Sequence, residues 1–101
     1  MDYKLAEKAG TVTVSLSGQL NFASNEQFHG LLEKLAEVSC RRVVFDLSGL
    51  GHIDSVGLGL LYIAQEDVAA TGAKLVLAAP QPEVFRLLEL TEADKTFEIV
   101  R

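Results

Sequence analysis

The chain has one cysteine, two prolines and no tryptophan in 101 residues. The single cysteine, Cys40, excludes an intrachain disulfide and fits a reducing compartment. Pro80 and Pro82 mark one loop, and no low-complexity tract or interior linker divides the rest. Basic residues are few, nine Lys and Arg against fourteen Asp and Glu, giving a formal net charge of -5. Without an excess of Lys and Arg to neutralise phosphates, nonspecific nucleic-acid binding is disfavoured, while a basic protein partner stays open. No stretch approaches the ~20 consecutive apolar residues of a membrane-spanning helix. Residues 1–20 hold no long apolar run behind a basic start, so no signal peptide is expected. These absences predict a cytoplasmic protein with no membrane insertion.

With 49% hydrophobic and 23% charged residues, the chain reads as one globular domain over residues 1–101, able to bury a single core. From Thr11 to Ser17, Val12, Val14 and Leu16 alternate with Thr and Ser, the period of a half-buried strand that Gly18 ends. Tyr3 to Glu7 is a weaker strand, joined to it by a hairpin-like turn at Lys8-Ala9-Gly10. Between Ala23 and Val38, Phe28, Leu31, Leu32, Leu35 and Ser39 recur at helical spacing, with Ser24 as N-cap and Gln27 placed to close a capping box. Val43–Leu47 is a nearly continuous apolar run, as in an interior parallel strand. A Gly-rich turn is expected after it, then a helix from about Ser55 to Ala70 that stops at Thr71-Gly72. Lys74–Ala79 reads as another interior strand, Pro82 opens a third helix with Val84, Leu87, Leu88 and Thr91 inward, and Phe97–Val100 is a last short strand. The order β-β-α-β-α-β-α-β predicts an α/β fold: a mixed sheet of four to five strands, with right-handed crossovers and helices mainly on one face.

The run from Phe45 to Gly59 carries the functional signal. Asp54 or Ser55 is the N-cap of the second helix, at the carboxyl edge of the strands where α/β proteins place reactive groups. Gly57 and Gly59 follow within two turns, at a cost of up to ~1 kcal/mol each against alanine, so close packing on the sheet or close approach of another group is implied. A phosphate on Ser55 brings about -1.5 to -2 charges to the positive end of that helix, favoured by ~0.3–1 kcal/mol and opposed by Asp54. The helix is apolar almost all round in its first two turns, which calls for neighbours on both flanks or for a partner.

These residues resemble the STAS-domain family. Asp46-Leu47-Ser48, followed by Ile53-Asp54-Ser55-Val56-Gly57-Leu58-Gly59, is similar to its signature, and the bacterial anti-sigma-factor antagonists are the branch it most resembles. The resemblance extends to Val14–Leu20 with its following loop, to the core strands and to Leu87–Thr91. It implies a substrate and binding module that is not an enzyme; no cofactor and no metal are expected. Ser55 is then the phosphoacceptor, with Asp54, Gly57 and Gly59 shaping the phosphorylation turn. The implied partners are a serine-kinase anti-sigma factor, which uses ATP, and a phosphoserine phosphatase. The unphosphorylated chain, expected to be a monomer when free, binds the anti-sigma factor and is released on phosphorylation. Asn21, Val56, Leu58 and Tyr62 are candidate partner contacts. Asn21 stands where the family commonly carries Asp, and Val56 where it carries a small or hydroxylated residue.

Other readings are open but weaker. A constitutively docked accessory STAS subunit, in a stress-sensing or lipid-transport assembly, needs Ser55 only as a cap. A small regulator could bind an anion at the same helix start. Ser55, His52 and Asp54 suggest a hydrolase, yet neighbours at one turn rarely orient as a triad, and no Gly-x-Ser-x-Gly elbow is present. His29 and His52 are the only histidines, without metal-site spacing. Gly57-x-Gly59 lacks the third glycine of a dinucleotide site. Cys40 reads as a half-buried inert thiol, and Asp46 as an anchor of the turn.

Overall fold

Alternation along the second strand decides which face of the sheet is covered. A computed structural model describes residues 1–101. The elements are β1 (Asp2–Lys8), β2 (Thr11–Leu20), a 3-10 turn (Phe22–Ser24), α1 (Asn25–Ala36), β3 (Arg42–Ile53), α2 (Ser55–Ala70), β4 (Lys74–Ala78), α3 (Pro82–Leu90), a second 3-10 turn (Ala93–Lys95) and β5 (Glu98–Val100). The five strands lie in the order β1-β2-β3-β4-β5. β1 is antiparallel to β2, and every later pair is parallel, so the sheet is mixed as expected.

Val14, Phe45 and Leu77 are in register across β2, β3 and β4, and all three are fully buried. Phe28 of α1 meets Phe45 edge to face, with ring centroids 6.0 Å apart. Leu60, Leu61 and Ala64 of α2 and Val84 and Leu88 of α3 join the same cluster, so the helices share one sheet face. One residue along, the row Ser15, Asp46 and Ala78 points to the uncovered face. The run Val43–Leu47 is therefore not covered on both sides: Val44 and Asp46 are only half-buried.

Several boundaries differ from the sequence expectation. β2 does not stop at Gly18, and β3 does not give way to a Gly-rich turn after Leu47. The two strands stay paired to Leu20 and Ile53, through irregularities between Ser15 and Ser17 and between Gly18 and Gln19. Gly18 takes φ +87 there, a backbone region that disfavours other residues. The irregular pairing shifts the pleat, so Leu47, Leu50 and Ile53 are buried at every third position rather than every second. The first α-helix ends at Ala36, leaving Ser39 outside its stripe, and Ser24 makes no side-chain cap bond to it. In α3, Val84 and Leu88 are buried, whereas Thr91 is the exposed C-cap, its hydroxyl donating to Leu87 O at 2.8 Å. Asp46 does anchor its segment, with Oδ1 accepting from the Ser48 N–H at 3.0 Å. Cys40 is half-buried and free.

At the opposite edge of the sheet from the helix starts, Lys74 Nζ donates to Glu98 Oε1 at 2.8 Å, and Arg42 lies 3.9 Å from the same carboxylate. The Lys74 hydrogen bond, opposed by partial desolvation and aided by the Lys74 and Arg42 charges, holds the Glu98 carboxyl below its ordinary value of 4.5. A depressed carboxyl contributes stability that is present above the ordinary value and lost as pH falls through the lowered one. Glu98→Gln is thus expected to lower the melting temperature slightly at neutral pH, with the difference from the parent vanishing in acid. Thermal melts of both proteins across the acid range check this, and a difference that grows in acid contradicts it.

Candidate functional site

The start of α2 divides its work between two adjacent side chains. Asp54 is extended, and its Oδ1 accepts from the Gly57 N–H at 2.8 Å, so Asp54 is the N-cap. Its carbonyl accepts the first helical bond, from the Leu58 N–H at 2.9 Å. Ser55 is the first helical residue and is exposed. The cap is thereby supplied without Ser55, whose hydroxyl stands at the positive helix end, available to a reagent from solvent.

This start is locked to the end of β2. The Asp54 N–H donates to Leu20 O at 3.3 Å. A Cβ placed on Gly57 would lie 2.1 Å from that same oxygen and 2.9 Å from Ile53 Cγ1. Gly57 thus lets α2 seat directly on the backbone of β2. Gly59 is different, because a Cβ there meets nothing within 4 Å.

Asn21 holds the loop after β2. Its Oδ1 accepts from the Ala23 N–H at 3.0 Å, and its own N–H donates to Ser24 Oγ at 3.3 Å, forming a capping box around the 3-10 turn. Ser24 is buried, and its hydroxyl donates to Gln19 O at 3.0 Å. An aspartate at position 21 could accept the same Ala23 bond but could not donate to Gln19 Oε1, as Asn21 Nδ2 does at 3.3 Å.

The candidate contact residues fall in two groups. Val56 is 41% exposed on one flank of α2. Leu58 is half-buried against the core, and the Tyr62 ring rests on Phe97, centroids 5.0 Å apart. Sequence reasoning missed Phe22, which is 75% exposed on the 3-10 turn beside Asn21. Its signal was an aromatic residue outside the helical stripe, directly after a turn-forming Asn. No catalytic constellation forms around Ser55. His52 lies on β3 and lines a groove of about 200 Å³ with Glu83, Arg86, Leu87 and Leu90 of α3. Asp54 is engaged by Gly57, and no group of three or more His, Cys, Asp or Glu side chains is placed to hold a metal ion. No helix is long and apolar enough to cross a membrane.

The fold and site define a small α/β domain that presents a free serine at a rigidly seated helix start. The STAS domain profile matches residues 2–101. The chain is 28% identical over 88 residues to a STAS-domain containing protein of Pseudomonas aeruginosa (strain UCBPP-PA14), covering 87% of this chain and 86% of that one. It is 30% identical over 82 residues to BtrV of Bordetella bronchiseptica, named as a candidate anti-sigma factor antagonist, covering 81% and 71% respectively. The crystal structure of an anti-sigma factor antagonist from Mycobacterium paratuberculosis superposes with a TM-score of 0.86 at 25% identity, covering 98% of this chain and 84% of that one. The chain belongs to the STAS-domain family.

Proposed function

We propose that this chain is an anti-sigma-factor antagonist switched by phosphorylation of Ser55. The unphosphorylated form binds a serine-kinase anti-sigma factor in the cytoplasm. Transfer of the ATP γ-phosphoryl group to the Ser55 hydroxyl by that kinase releases the complex, and a phosphoserine phosphatase restores the binding form. The chain is substrate and binding module, and the chemistry belongs to its partners. Two relatives named as anti-sigma factor antagonists support the antagonist part of this reading. The observation that carries it is the exposed Ser55 hydroxyl beside a cap that Asp54 already provides. Asp54 fixes the acceptor's position, and Asn21 fixes the neighbouring loop.

Incubation with ATP and the host's serine-kinase anti-sigma proteins is expected to add about 80 Da, the mass of one phosphoryl group, to the parent and nothing to Ser55→Ala. Mass spectrometry of the intact protein reads the result. A gain that persists in Ser55→Ala moves the acceptor elsewhere, and no gain with any kinase favours a constitutively docked role.

A further inference from the structure

The first strand carries an edge that nothing covers. β1 pairs with β2 on one side, and no helix backbone comes close to it. Apart from Tyr3, every residue from Asp2 to Lys8 is exposed. The register with β2 runs unbroken, so no bulge turns the edge away, and no proline interrupts it. The hairpin fixes which backbone groups stay free. Ala9 and Gly10, at φ +52 and +84, form a two-residue loop closed by Lys8 and Thr11. Such a turn bonds its first and fourth residues, so Lys8 and Thr11 are a hydrogen-bonded pair. Alternation along the ladder then turns the N–H and C=O groups of Asp2, Lys4, Ala6 and Lys8 toward β2. Those of Tyr3, Leu5 and Glu7 face outward. The Leu5 side chain lies on the helix side of the sheet, opposite Val14, and is 41% exposed.

We propose that this edge pairs with a second copy of itself, two β1 strands meeting antiparallel about a two-fold axis at Leu5. The two five-stranded sheets then become one. The outward groups of Leu5 meet those of the second Leu5, and those of Tyr3 meet those of Glu7, so the free edge groups satisfy one another. The side chains select this register. Asp2 stands opposite Lys8 of the second copy, and Lys4 opposite Ala6. A slip of two residues is the smallest that keeps every side chain on its face. In one direction it sets Lys4 against Lys4, and in the other Lys4 against Lys8, both repulsive. On the helix side, Glu7 of the second copy comes beside Tyr3, whose hydroxyl accepts from Lys34 Nζ at 3.0 Å, so the carboxylate meets a cation already in place. Lys4, Lys8 and Lys34 outnumber Asp2 and Glu7 at this edge, although the chain carries a net charge of -5, so two copies meet where their repulsion is weakest. The pairing leaves Ser55 and α2 open, because β1 touches neither, and it departs from the monomer implied by the family resemblance.

Sedimentation equilibrium of the full chain, from low micromolar to hundreds of micromolar, is expected to show a reversible change from one chain mass to two. Asp2→Lys and Lys8→Glu each set like charges opposite one another twice per pair, and each is expected to raise the dissociation constant ~10-fold or more. The two substitutions together restore opposite charges and are expected to return it to within about threefold of the parent. Their neighbours on β2, Ser17 and Thr11, are uncharged, so all three variants are expected to melt as the parent does when dilute. Leu5→Glu places two carboxylates on the axis and is expected to hold the chain at a single mass. Amide hydrogen exchange is expected to slow with concentration at Tyr3, Leu5 and Glu7 but not at Lys4 and Ala6, whose N–H groups β2 already holds. A single mass at every concentration overturns the pairing. So does a two-chain species that survives Leu5→Glu, or one whose loss on charge reversal the double variant does not repair.

Discussion

Gly57→Ala is expected to cost the fold roughly 2–3 kcal/mol, although alanine is the better helix former by up to ~1 kcal/mol. The added methyl lands 2.1 Å from Leu20 O and 2.8 Å from the Leu20 carbonyl carbon. Neither atom belongs to a flexible side chain. Leu20 is fully buried, its amide region is paired with Ile53, and its oxygen accepts from the Asp54 N–H at 3.3 Å. Relief therefore requires α2 to lift from the sheet, opening the contacts of Leu60, Leu61 and Ala64 beneath it. For a domain of this size, that loss lowers the melting temperature by about 10 °C or more. Gly59→Ala, two residues along the same helix, is expected to shift it the other way. Thermal melts or urea titrations of the pair decide the matter. A stabilised Gly57→Ala contradicts the seating of α2 on β2.

Ser55→Asp is expected to weaken partner binding at least ~10-fold while leaving the melting temperature within a few degrees of the parent, and Ser55→Ala is expected to bind nearly as the parent does. The helix dipole favours a negative charge at position 55 by ~0.3–1 kcal/mol, and the neighbouring Asp54 carboxylate opposes it, so the fold is left almost unchanged. The docked state is affected far more. A charge covered by an interface without a partner costs several kcal/mol, and each 1.4 kcal/mol is about tenfold in affinity. The side chain at 55 cannot turn inward to escape, because Asp54 and Gly57 fix the first turn beneath it. Calorimetric titration of the three proteins onto one kinase partner checks the order Ala ≈ Ser ≫ Asp.

The period-two pattern of β2, the helical stripes of α1 and α2 and the Pro82 start of α3 are visible in sequence because each follows from local burial. That is enough to read the element order and the one-sided placement of helices. The long reach of β2 and β3 was hidden by the same logic. Gly18, Gly49 and Gly51 suggest a turn, and only pairing across the two strands, with its irregularities, turns them into strand residues. Ser24 does stand at the N-cap position of α1, but its hydroxyl makes no cap bond to that helix because it serves the preceding 3-10 turn, which Asn21 caps. At the site, the Asp54-Ser55 pair was legible as a helix start, since both residue types favour caps. Which of the two caps, and which is free, depended on side-chain geometry. Phe22 was signalled only by its place outside the α1 stripe, directly after a turn-forming Asn; its exposure depends on the loop geometry that holds its ring away from the core.

The central claim is that one phosphate on Ser55 decides whether this surface is occupied. It is tested most directly by titrating the unphosphorylated and the stoichiometrically phosphorylated chain onto the same serine-kinase anti-sigma factor. The account predicts a dissociation constant at least ~100-fold larger for the phosphorylated chain, with both forms equally folded. Equal affinities for the two forms would contradict it.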